Sequence, residues 1–105
     1  LFEPVGAVEE KNVVLNNLLS VCSEIEGKGR FNILMYNVSG QKGFNILYID
    51  QGILPYKAKL VREIEGMIRG NSLKEDYLYY IDYVIGEGAI YRCIPIQESR
   101  GFWSF

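Results

Sequence analysis

Histidine is absent from the 105 residues. That excludes Ser-His-Asp and Cys-His catalysis and every imidazole metal site. Cysteine is scarce: Cys22 and Cys93 stand far apart, which is neither a disulfide framework nor a zinc pattern. They read as two small buried hydrophobes of a reducing compartment, and a disulfide between them would require a helix packed on a strand. Charge of one sign is missing too, since 11 basic residues face 13 acidic ones and both signs are interspersed. Without a basic stripe, neither nucleic acid nor an anionic membrane surface is an expected partner. No apolar run is long enough to span a bilayer. The opening Leu1-Phe2-Glu3-Pro4 has neither a basic n-region nor an apolar h-region, so a cytoplasmic chain is expected. No cofactor motif appears. Gly27-Lys28-Gly29-Arg30 lacks both the spacing and the strand-to-helix setting of a phosphate loop.

What remains is hydrophobic (49%) and rich in tyrosine, enough for one core in one domain over residues 1–105. The organising stretch is Arg30 to Gly52. Phe31-Asn32-Ile33-Leu34 returns as Phe44-Asn45-Ile46-Leu47, with a glycine-bearing spacer between the copies. This predicts a hairpin of strands over 31–38 and 44–50. Phe44, Ile46 and Tyr48 are expected on one face of the second strand, Leu47 and Ile49 on the other. Both faces of the hairpin are then largely apolar, so something must cover each of them.

Before the hairpin, Val14, Leu18, Cys22 and Ile25 recur at helical spacing over residues 7–26, and Gly27 and Gly29 stop the pattern. After it, Pro55 suits the start of a second helix over 55–69, with Tyr56, Leu60, Ile64 and Met67 as its stripe. Gly66 interrupts that helix and suggests close packing. Strands over 76–85 and 90–96 follow around Gly86-Glu87-Gly88, and Pro95 places the last at an edge or a terminus. The expected class is α+β: a single-layer mixed or antiparallel sheet with two helices, in the order α-β-β-α-β-β, with 102–105 either a last short strand or an aromatic docking tail.

Three groups of residues are candidates for function. Tyr77, Tyr79 and Tyr83, with Phe102 and Trp103, form an expected aromatic interface, because tyrosine joins a rigid apolar body to a hydrogen-bonding tip. Stacking of RNA bases on such a sheet would need a basic frame that is missing. Asp50, Asp82 and Glu87 form a candidate carboxylate cluster able to hold a divalent cation; ordinary turn and ion-pair roles explain them as well. Asn37-Val38-Ser39 matches a glycosylation acceptor.

The leading helix with Leu18 and Leu19, the hairpin ending in Asp50-Gln51-Gly52, the second helix and the strand carrying Ile94-Pro95-Ile96 together resemble roadblock-type domains of the dynein light-chain and GTPase-regulator family. The resemblance spans most of the chain at the level of element order and hydrophobic pattern. The chain departs from it in lacking a third, C-terminal helix and in its hairpin spacer. The resemblance implies a dimer with paired sheets and a non-catalytic scaffold role beside small GTPases or motors. The expectation is therefore a non-enzymatic interaction or scaffold domain, dimeric through an aromatic sheet face. The alternatives are a ligand-binding or cation-dependent enzyme using the three carboxylates, and a small inhibitor or immunity-type protein.

Overall fold

The computed structural model describes residues 16–18, 20–70 and 72–96. A helix, α1, is described at 16–18 and 20–22. It is followed by β1 (Arg30–Val38), β2 (Gln41–Ile49), a 3-10 segment (Gln51–Tyr56), α2 (Lys57–Arg69), β3 (Tyr77–Val84) and β4 (Gly88–Pro95). The four strands form one antiparallel sheet in the order β2-β1-β3-β4. The fold is α+β, with the expected element order through β4; the segment 102–105 lies outside the described residues.

Alternation along β1 decides which side is the core. Phe31, Ile33 and Met35 are almost fully buried, while Asn32, Leu34 and Tyr36 between them are only partly so. On β3 the inward set is Tyr79, Ile81 and Tyr83, and on β4 it is Tyr91 and Cys93. Leu18, Val21 and Cys22 of α1 and Leu60, Ile64 and Met67 of α2 join the same cluster. Both helices therefore cover one face of the sheet. Each fully buried aliphatic side chain is worth about 1.5–3 kcal/mol. The α2 stripe thus outweighs the roughly 1 kcal/mol that Gly66 costs the helix.

The turns correct several expected boundaries. The β1–β2 turn is two residues, Ser39-Gly40, rather than five. Both have positive φ (51° and 84°), as in the type I′ turn whose twist matches that of paired strands. Asp76 Oδ1 holds the turn by accepting from Ser39 N–H at 2.9 Å. A bulge interrupts the β1–β2 register between Asn32 and Ile33, with Leu47 the extra residue on β2. It shifts everything beyond by one position. Ile49 packs on the core opposite Phe31, and Tyr48 is 46% exposed, the reverse of the simple alternation expected. The second helix starts at Lys57, because Gln51–Tyr56 winds as a 3-10 turn around Pro55. The described helical residues of α1 end at 22, where Glu24 N–H and Ile25 N–H reach back three residues to Val21 O and Cys22 O.

Two glycines have opposite roles. A β-carbon on Gly29 would meet the side chain of Ile53, so the chain before β1 lies directly on the 3-10 turn. Gly66, expected at a close contact, has nothing within 4 Å of the place a β-carbon would take and faces open space. Gly66→Ala should therefore raise stability by about 0.5–1 kcal/mol through helix propensity and a less flexible unfolded chain. Gly29→Ala should lower it by about 1–3 kcal/mol through overpacking. Urea denaturation of the two variants beside the parent checks both signs.

Candidate interaction surface

The face of the sheet turned away from the helices carries three ladder rows. Tyr36, Leu78 and Ile94 lie side by side across β1, β3 and β4; Leu34, Tyr80 and Arg92 form the next row; Asn32, Asp82 and Ile90 form the third. On β2, Gly43, Asn45 and Tyr48 continue these rows. The surface has an apolar end (Leu34, Tyr36, Leu78, Tyr80, Ile94) and a polar end built around Arg30. Leu78 is only 8% exposed yet stands outside the main core cluster. It lies on the outer face, in a row between Tyr36 and Ile94. Gly43 makes room for this row: the ring of Tyr36 occupies the space a β-carbon there would need. An aromatic ring laid over a neighbouring-strand glycine covers otherwise bare backbone.

The polar end is held by one arginine. Arg30 Nε and Nη2 each donate at 2.8 Å to the two oxygens of Asp82, a bidentate pair across the β1–β3 ladder. Arg30 backbone N–H donates to Asp50 Oδ2 at 2.9 Å, and Asp50 N–H donates to Arg30 O at 3.0 Å. The Asp50 carboxylate therefore continues the β1–β2 ladder past its last strand residue, and it also accepts a hydrogen bond from Tyr48 Oη. The Tyr48 ring lies 5.9 Å from the Arg30 guanidinium carbon. With its amide turned to donate, Asn32 Nδ2 reaches Asp82 Oδ1 at 2.7 Å and Phe31 O at 3.1 Å. The hydrogen bonds from Arg30 hold the Asp82 carboxyl below its usual range, and Asp82 in turn pushes the guanidinium higher. The hydrogen bond to Asp50 raises the Tyr48 phenol.

The structure thus brings Asp50 and Asp82 to a shared arginine rather than to an open cation site. Glu87 sits in the β3–β4 turn, where it lines a shallow cleft of about 360 Å³ with Asp82 and Ile90. Among the described residues, no three His, Cys, Asp or Glu side chains are placed to hold a metal ion. Sequence reasoning does not single out Arg30, Asn32 and Tyr48. Their signal is present in Arg30 and Asn32 two apart at the head of a strand, with Asp82 the lone charge in an otherwise apolar one.

The tyrosines redistribute in the same way. Tyr79 (0% exposed) and Tyr83 (7%) are core residues, and Tyr77 packs against the core from its edge. Tyr83 stacks on Phe31 with ring centroids 5.4 Å apart, and Tyr79 Oη accepts from Lys74 N–H at 2.6 Å. The correction to the expected interface follows from strand parity: Tyr77, Tyr79 and Tyr83 share the side that the helices take. The aromatic residues left on the outer face are Tyr36, Tyr80 and Tyr48. Phe102 and Trp103 lie outside the described residues.

The remaining candidates have structural roles. Cys22 is a buried free thiol, so the Cys22–Cys93 bridge is not formed; Cys93 is fully buried in β4. Burial pushes the Cys22 thiol up to about 11, against a hydrogen bond with Tyr83 that pulls it down. Such a thiol is protonated at neutral pH and is a poor nucleophile. It borders an open cleft of about 510 Å³ between the end of α1 and the β3–β4 turn. Asn37 is 4% exposed and its Nδ2 donates to Leu73 O at 2.9 Å, so the would-be glycosylation nitrogen is inside the fold. No helix of the described residues is long and apolar enough to cross a membrane. No protein-family model matches the chain, and no curated protein or solved structure matches it either.

The depressed Asp82 titration carries a pH signature. A carboxyl with a folded value below its unfolded one, about 3.9, contributes stability that is complete above the unfolded value and lost as pH falls through the folded one. Asp82→Asn should therefore be less stable than the parent at about pH 6–7, with the gap closing below about pH 4. Thermal unfolding of both proteins across that range checks it; a gap independent of pH would assign the loss to packing instead.

Proposed function

We propose that this chain is a non-enzymatic protein-interaction domain that works as a dimer and offers its outer sheet face to another protein chain. The observation that carries the reading is the apolar end of that face. Leu34, Tyr36, Leu78, Tyr80 and Ile94 lie next to one another on it, Leu78 buried (8% exposed) and the other four half-buried, with no helix of the described residues on that side. Antiparallel sheets that face water normally present polar side chains there, and contiguous exposed apolar patches on soluble domains mark binding sites. Tyrosine at the patch supports a protein partner, since it gives large contact area at low entropic cost. The Arg30–Asp82 pair beside it supplies a fixed polar rim that orients a partner more than it adds affinity.

The chemistry at the polar end favours this reading over the carboxylate-enzyme alternative. Both aspartates are already engaged by Arg30, Asn32 and Tyr48, and the Cys22 thiol beside its cleft is held protonated. The paired-sheet scaffold implied by the roadblock resemblance is one form of the same proposal.

A photo-crosslinking residue at Tyr80 tests it directly, with the same residue at the exposed Glu65 of α2 as control. Irradiation of cells expressing the Tyr80 variant should give a discrete protein adduct, and the Glu65 variant should give none. An adduct of twice the chain mass would identify a second copy on the face, and a heavier one a different protein. No adduct in cells or in concentrated solution would sink the proposal.

A further inference from the structure

A chain that settles on the apolar rows of the outer face also covers Arg92. This residue lies on β4 between Ile90 and Ile94, which share its side of the strand. Its ladder neighbour on β3 is Tyr80, and Leu34 completes that row on β1. Arg92 and Tyr80 are both half-buried.

The fold gives this guanidinium no acid. Arg92 has no ion pair and no side-chain hydrogen bond among the described residues. Its diagonal neighbour across the β3–β4 ladder is Asp82, and such positions are roughly 7–8 Å apart. Asp82 is already committed: Arg30 Nε and Nη2 each donate to one of its oxygens at 2.8 Å, and the turned Asn32 Nδ2 donates to Oδ1 at 2.7 Å. The Asp50 carboxylate is engaged as well, by Arg30 N–H and by Tyr48 Oη. One arginine of this face is thus paired within the fold. The other keeps its fork of N–H donors for an acceptor from outside.

Covering an unpaired guanidinium strips its water and returns nothing, which is costly. A partner on this face must therefore bring an acceptor to Arg92. From this we infer that Arg92 is the specificity-determining residue of the face, and that its partner is a protein segment with an Asp or Glu side chain set between apolar ones. The inference rests on the interaction reading above and deepens it by naming the partner's chemistry. The pairing is bidentate, two N–H groups to the two oxygens of one carboxylate. A single carboxylate suits the site better than a phosphate or a nucleic-acid backbone. Asp82 beside it repels further negative charge, and among the described residues no second unpaired arginine or lysine lies on this side of the strands. A segment without the acid is rejected by the same desolvation cost that the acid relieves.

A displayed library of random peptides, selected on the parent protein and counter-selected on Tyr80→Ala, tests the inference. Ile94→Ser takes the place of Tyr80→Ala if that variant does not fold. The recovered peptides should carry an Asp or Glu flanked by apolar residues. Their affinity should fall about tenfold or more on Arg92→Gln, less on Arg92→Lys, which keeps the charge without the fork, and further as salt is added. Arg92→Gln itself should melt close to the parent, since it breaks no contact within the fold. Replacing the peptide's acid by lysine should abolish binding to the parent and restore part of it on Arg92→Glu, a reversal that a folding defect does not produce. Face-dependent peptides without an acid, or ones that bind Arg92→Gln as tightly as the parent, would overturn the inference and leave the face reading standing. The latter result would mean that the arginine swings to water at the β4 edge. Recovery of no peptide that depends on Tyr80 or Ile94 would overturn both.

Discussion

The pairing of β1 with β3 is the constraint on which the rest of the structure depends. These are the two central strands, and their register sets Ile33 against Ile81, Met35 against Tyr79 and Phe31 against Tyr83. All six side chains are buried on the helix side. A slip of one residue would send this whole set to the opposite face and bring Leu34, Tyr80 and Asp82 into the core. The cost of burying Asp82 without its arginine opposes that slip strongly. Arg30 and Asp82 therefore act as a register lock at one end of the ladder. Asn37 acts at the other, where its buried side-chain amide donates to Leu73 O and its backbone carbonyl accepts from Asp76 N–H.

The helices follow from that sheet rather than imposing on it. Each presents a short stripe of aliphatic residues to the inward face. The Lys59–Glu24 ion pair (2.7 Å) links α2 to the chain just after α1, but both side chains are about half exposed. Such a pair is worth no more than about 1 kcal/mol. Gly29 sets the approach of the 3-10 turn more firmly: Ile53 is fully buried against it, and Gly29 O accepts from Ile85 N–H at 2.8 Å. This one segment connects the start of β1, the end of β3 and the entry to α2. It explains why Gly27-Lys28-Gly29-Arg30, which superficially suggests a phosphate loop, is a structural junction instead.

Most of the fold is legible in the sequence because its two periods are strong. The 3.6-residue stripe Leu60-Ile64-Met67 identifies a helix and its inward face, and the period-2 runs of β1 and β3 identify strands and the residues that share a side. Expectation and structure part where one residue changes parity or contact. Leu47 is a bulge with no compositional mark, and it moves Tyr48 and Ile49 to faces opposite to those expected. Gly66 reads as a packing glycine, although nothing in a single sequence distinguishes a crowded helical glycine from a bare one. The site is harder still. Parity puts Tyr77, Tyr79 and Tyr83 on one side and Leu78 and Tyr80 on the other, but it does not say which side the helices take. Strand composition does not break the tie, since both sets are apolar enough to be buried. The tie is broken by Asp82 and Arg30, which pair on the solvent-facing side of the sheet more cheaply than under a helix.

That ambiguity bears on function. Among the described residues, a sheet apolar enough to bury either side has helices on one of its two faces. Stability alone does not require Leu34, Tyr36, Tyr80 and Ile94 on the outer face; polar β-formers such as threonine would hold the same backbone while removing an aggregation hazard. Their presence there, beside an arginine already paired with Asp82, is what the proposed contact with another surface would use. At its polar end this face opens into the shallow cleft lined by Asp82, Glu87 and Ile90, so the proposed protein partner would meet relief there and an apolar surface beside it.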